Sequence, residues 1–114
     1  MSETVQEWLE RTASNPRVVA CGVRLADRSI LARSGREELA ETRVNQAMRQ
    51  LSEGVFVLQQ SRLAADQLRW TFEGGIVRCA IRPGGVLGFL VVGRDSVDLP
   101  EIEQLLADFA LVTG

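Results

Sequence analysis

LRWTFEGGIVRCAIRPGGVLGFLVVG, residues 68–93, reads as three strands punctuated by two Gly-Gly pairs. Leu68, Trp70 and Phe72 alternate onto one face, with Arg69, Thr71 and Glu73 on the other. Gly74-Gly75 suits a tight hairpin turn, because glycine supplies the positive φ such turns require. Ile76 to Arg82 follows as a strand with Val77, Cys79 and Ile81 on one face, and Pro83-Gly84-Gly85 turns it. Val86 to Val92 is apolar on both faces, the pattern of a strand covered on both sides and hence central.

Working outward, Val5, Trp8, Leu9 and Thr12 carry the spacing of one helical face over residues 3–13, and Thr4 with Glu7 fits a capping box. VVACGVRLA, residues 18–26, predicts a second central strand with Val19, Cys21, Val23 and Leu25 on one face. Asp27-Arg28-Ser29 predicts a turn into a returning strand over 29–33. Ser34 and Glu37 offer a second capping box for a long helix from about Glu37 to Arg62, with a seam of Val44, Met48, Leu51, Val55 and Leu58. Ala40, Ala47 and Gly54 recur every seventh residue beside that seam. They are either a place for another backbone to come close or ordinary helix-forming alanine. Phe56 and Val57 fall opposite the seam, so either the helix breaks near Gly54 or both of its faces are covered. A last helix runs from about Leu99 to Val112, with Asp98 and Glu101 as caps and Pro100 in its first turn. The order αββαβββα predicts an α+β layer fold, with strands 18–26 and 86–92 side by side at its centre.

At 114 residues the chain is expected to form one domain, 1–114. A net charge of −2 argues against nucleic acid, which needs a concentrated positive surface. Every basic residue is Arg, scattered along the chain. No apolar run is long enough for a membrane span, and the acidic start MSETVQEWLERTASNP lacks the pattern of a signal peptide, so a cytoplasmic protein is expected. Cys21 and Cys79 are then expected to be buried thiols rather than a disulfide. With neither His nor Lys, the chain can build no Ser-His-Asp or Cys-His arrangement, no Schiff base and no phosphate-loop lysine. Glu37, Glu38 and Glu41 are read as complements to a helix dipole rather than metal ligands. Asp27, Asp66 and Asp95 show no spacing that would pair two of them. The expectation is a non-enzyme with no catalytic residue, cofactor or metal.

What remains is surface. The strand DQLRWTFE, residues 66–73, is expected to lie at a sheet edge, and it contains no Pro, no Lys and no evident bulge, the devices that usually guard edges. An unguarded edge bearing Trp70 and Phe72 invites the same strand of a second copy.

The order of elements, VVACGVRLADRSILARSG, the long second helix, and LRWTFEGGIVRCAIRPGGVLGFLVV followed by a short apolar helix resemble the Roadblock/LC7 family, here a bacterial member. The family's first turn is often Asp-Gly where this chain has Asp27-Arg28-Ser29. The resemblance implies a single five-stranded antiparallel sheet with helices on both faces, related to longin and profilin folds. It also implies a homodimeric, non-enzymatic adaptor that regulates or positions a small Ras-like GTPase. Carried over by position, the dimer contacts are Leu68, Arg69, Trp70, Thr71, Phe72 and Glu73 on the strand, and Ala40, Ala47, Met48, Leu51 and Gly54 on the helix. The GTPase contacts are Arg43, Gln46, Arg49, Gln50, Glu53 and Phe56. Two other readings stay open: a small-ligand-sensing module, opposed by inward faces expected to be apolar and well filled, and a structural scaffold subunit of a larger complex.

Overall fold

A computed structural model describes residues 3–60, 67–72, 75–96 and 98–112. The order is α1 (Val5–Ala13), β1 (Val18–Arg24), β2 (Ile30–Ser34), α2 (Glu41–Gln60), β3 (Gln67–Phe72), β4 (Gly75–Arg82), β5 (Val86–Val92) and α3 (Pro100–Phe109), with a short 3-10 turn at Pro83–Gly85. The strands form one antiparallel sheet in the order β2-β1-β5-β4-β3. The two apolar strands, β1 and β5, are therefore neighbours, and β5 is the middle strand.

α1 buries Val5, Trp8, Leu9 and Thr12, the four residues its spacing selects. The Thr4 hydroxyl accepts the Glu7 amide while the Glu7 carboxylate accepts the Thr4 amide, both at 3.2 Å. Together they close a capping box of the kind worth about 1 kcal/mol. α1 and α3 cover one face of the sheet, where Trp8, Leu9, Cys21, Leu90 and Phe109 meet. The Trp8 ring N–H donates to the Leu105 carbonyl at 3.0 Å, which satisfies the one polar atom of a fully buried side chain. Phe109 comes so near β5 that a Cβ on Gly88 would lie 2.7–2.8 Å from its ring atoms. α2 covers the opposite face over β1 and β2, where Val44, Met48 and Val55 pack on Ala20, Ala32 and Phe89.

Three boundaries differ from expectation. Ser34 does not cap α2: its hydroxyl accepts the Arg36 amide and donates to the Arg36 carbonyl. Gly35 N–H is tied to the Val19 carbonyl at 2.9 Å, so the chain stays pinned to β1 and the helix begins only at Glu41, its first turn closing on the Ala40 carbonyl. In β1 the pairing with β5 shifts between Val18 and Ala20. That bulge places Val18, not Val19, beside Cys21 and Val23 under α1 and α3. At α3 neither Asp98 nor Glu101 caps the helix, and Leu99 takes the cap position without a side-chain bond. Asp98 instead accepts from Arg69 and Glu101 pairs with Arg17. α2 runs unbroken through Gly54 to Gln60, and Arg62 lies outside the described residues.

Candidate interaction surface

Because α2 is centred over β1 and β2, the β5-β4-β3 half of its own sheet face is only partly covered among the described residues: Val77, Cys79, Leu87 and Phe89 are buried, whereas Leu68, Trp70 and Val91 are only partly buried. The result is an open apolar groove of about 720 Å³. Ala47, Leu51 and Gly54 of α2 form one wall, Trp70, Thr71, Val77 and Val91 of the three strands face it, and Val19 and Ala20 of β1 lie at its floor. Arg43 and Gln50 add polar atoms to the lining. A Cβ on Gly54 would meet nothing within 4 Å, so this flank of the helix faces open space. The α2 side of the sheet is thus not well filled, contrary to expectation. The groove's sheet wall ends at β3, whose Gln67 to Phe72 pair with β4 from Ala80 to Gly75 in unbroken register. Its other side is an edge without bulge or proline. The opposite edge, β2, is shorter, and its Arg33 reaches across to the Gln6 side chain.

The strand residues proposed for the dimer divide by parity. Leu68 and Trp70 pack on the α2 face, whereas the Arg69 guanidinium donates to Asp98 at 3.1 Å. Nothing is described of the Phe72 side chain, and Glu73 lies outside the described residues. Met48 is buried but borders the groove, and Ala40 precedes the helix, so Leu39 lines the groove where the heptad spacing selects Ala40.

The six residues assigned to a GTPase do not form one patch. Arg43 and Gln50 line the groove. Arg49, Glu53 and Phe56 line a separate cleft of about 340 Å³ on the other flank of α2, facing the β1–β2 hairpin. Gln46 is exposed and lines neither. Arg24 and Arg28 complete the cleft. Sequence reasoning missed both, because no local pattern reveals which hairpin lies beside which helix turn.

The titratable groups serve packing. Burial pushes both the Cys21 and the Cys79 thiols up to about 12, and they lie on opposite faces of the sheet. Arg78 is buried on the α1/α3 side, donating to Glu103 at 2.6 Å and to Gln67 at 3.0 Å. Asp27 accepts from both the amide and the hydroxyl of Ser29, which holds its carboxyl below the usual range. Among the described residues no group of three or more Cys, Asp or Glu is placed to hold a metal ion. No described helix is long and apolar enough to cross a membrane.

No protein-family model matches the chain, and no curated protein matches it. A solved structure, the Roadblock/LC7 domain from Streptomyces avermitilis, is similar over 92% of this chain and 93% of its own length, with a TM-score of 0.64 and 14% identity. The chain has the fold of a Roadblock/LC7 domain.

Proposed function

We propose that the chain is a non-enzymatic adaptor that works as a homodimer and binds a small Ras-like GTPase. The observation that carries the dimer is the juxtaposition of an open apolar groove with an unguarded strand edge. A second copy can add its β3 to that edge and lay its own α2 flank against the groove. Backbone pairing then gives register, and Trp70, Leu51, Val77 and Val91 give apolar burial. A stable interface of this kind covers about 800 Å² per partner. A six-residue strand and the flank of a twenty-residue helix offer a continuous surface on that scale.

The GTPase rests on the family resemblance and on the exposed polar residues of α2. Light scattering coupled to size exclusion tests the first half: a mass of twice 12.6 kDa is expected. A monomer at all concentrations removes the dimer. Purification of the tagged chain from its own cells, with mass spectrometry, tests the second half. Failure to recover a Ras-like GTPase in either nucleotide state leaves the structural scaffold reading.

The groove also favours a second reading, a module that binds an apolar small molecule. Its polar lining is confined to Arg43, Gln50 and Thr71. A thermal shift with apolar ligands on the isolated chain separates the two, since a second copy and a ligand compete for one space.

A further inference from the structure

The cleft on the other flank of α2 combines three guanidinium groups with exposed apolar side chains. Phe56 and Val57 are 50% and 59% exposed, two of the three large hydrophobic residues that stand out from the described surface. Arg24, Arg28 and Arg49 line the same cleft, against the single carboxylate of Glu53. Arg24 is steadied by donating to the Gly85 carbonyl at 2.7 Å, which fixes one edge of its guanidinium. The Arg28 amide donates to the Leu25 carbonyl at 2.9 Å, while its guanidinium has no described hydrogen bond or ion pair and the residue is exposed.

Arg28 also sits at φ 73°, in the left-handed region, and it is the one described non-glycine residue there. A side chain in that region costs about 1 kcal/mol that glycine would avoid. The turn therefore holds a guanidinium at the mouth of the cleft where glycine would serve the backbone better. Such an outlier points toward function.

We propose that this cleft is the docking site for an acidic polypeptide segment with an apolar anchor, carried by a partner protein. Phe56 and Val57 receive a leucine, isoleucine or phenylalanine, and Arg28 and Arg49 take carboxylates beside it. Arginine and aromatic residues are the types that interface centres concentrate, and a guanidinium can hold a carboxylate by two parallel hydrogen bonds. The inference goes beyond the proposed dimer and stands whether or not that dimer forms, because groove and cleft occupy different flanks of α2.

The test is selection of a displayed random dodecapeptide library on the immobilised full chain. Enriched peptides should carry two or more acids around one large apolar residue, and should bind more weakly as salt rises. Synthetic versions should lose at least tenfold in affinity for Phe56→Ala and for Arg28→Gly, while Leu111→Ala, an exposed apolar residue outside the cleft, changes nothing. Arg28→Gly should at the same time leave the melting temperature unchanged or raised, an outcome that general damage to the fold cannot produce. No enrichment, neutral or basic winners, or affinities indifferent to both changes overturn the proposal. So does binding to phosphatidylserine vesicles that Arg28→Gly abolishes without any peptide being selected, which would assign the cleft to a membrane. The oligomeric mass is measured on the same samples, so failure of the dimer and failure of the cleft are read separately.

Discussion

The Met48 side chain of α2 lies against the backbone of Gly22 in β1: a Cβ added to Gly22 would stand 2.8 Å from Met48 Cγ and 3.2 Å from the Leu31 carbonyl oxygen. This contact seats the helix on β1, and the groove exists because the helix sits there. Met48 is 1% exposed and packed within the α2-face core. Gly22→Ala should therefore destabilise the fold by about 1–3 kcal/mol, the usual cost of overpacking. Gly54→Ala, mid-helix and facing open space, should stabilise the dilute protein by about 0.5–1 kcal/mol. Urea denaturation of both variants checks the pair, and a harmless Gly22→Ala contradicts the close seating of α2.

Thr71→Pro should abolish dimerisation. Thr71 lies within the edge strand and borders the groove. Proline there removes a backbone donor and places a ring in the ladder. Gln46→Ala serves as the exposed control. Light scattering should give monomer or aggregate for the first and a dimer for the second. An intact Thr71→Pro dimer would move the interface away from β3.

Stability should fall steeply above pH 9, through the cysteines alone. An unfolded thiol titrates near 8.5, whereas both folded thiols are pushed up to about 12 by burial. A raised thiol pKa means that the folded state favours the protonated form. Its contribution is fully present below the unfolded value and is lost as pH rises toward the folded one. The slope is about 1.4 kcal/mol per pH unit per thiol. The chain has no Lys and no Tyr to titrate in that window. Denaturant midpoints between about pH 8 and pH 11 should drop, and Cys79→Ala should remove about half of the slope. A flat profile would show that the thiols are not buried.

Glu103→Ala should cost far more than Glu101→Ala. Glu103 accepts from Arg78, whose side chain is 7% exposed, whereas Glu101 pairs with an Arg17 that is half exposed. Losing one partner of a buried guanidinium typically costs about 2 kcal/mol, and an exposed pair is worth about 0–1 kcal/mol. Equal melting temperatures for the two variants would mean that the remaining contacts of Arg78 suffice.

The two capping boxes show what the sequence can disclose. Thr4-Glu7 and Ser34-Glu37 carry the same local signal, yet only the first forms. Ser34 is still paired with Ala20 in the sheet, a contact fourteen positions away that no local window contains. The strand order of parities in residues 68–93 was legible because alternation is a local property, and β3, β4 and β5 follow it. The bulge at Val19 was not, since it arises from pairing with β5. The candidate surface failed in the same way. A helical stripe can be drawn from α2 alone, but its division into groove and cleft depends on where the helix rests over the sheet, and that depends on Gly22.

The two thiols on opposite faces make the protein its own two-channel clock. Cys21 belongs to the cluster under α1 and α3, and Cys79 to the cluster on the α2 face. A thiol reagent added to the native chain can reach Cys21 only when the first layer lifts, and Cys79 only when the second does. Local opening free energies in one molecule commonly span everything from near zero to the full unfolding value. Equal labelling rates would mean that the sheet sheds both layers together. A faster Cys79 would mean that the half-covered face opens first, and that the layer beside the groove is the one held on most loosely.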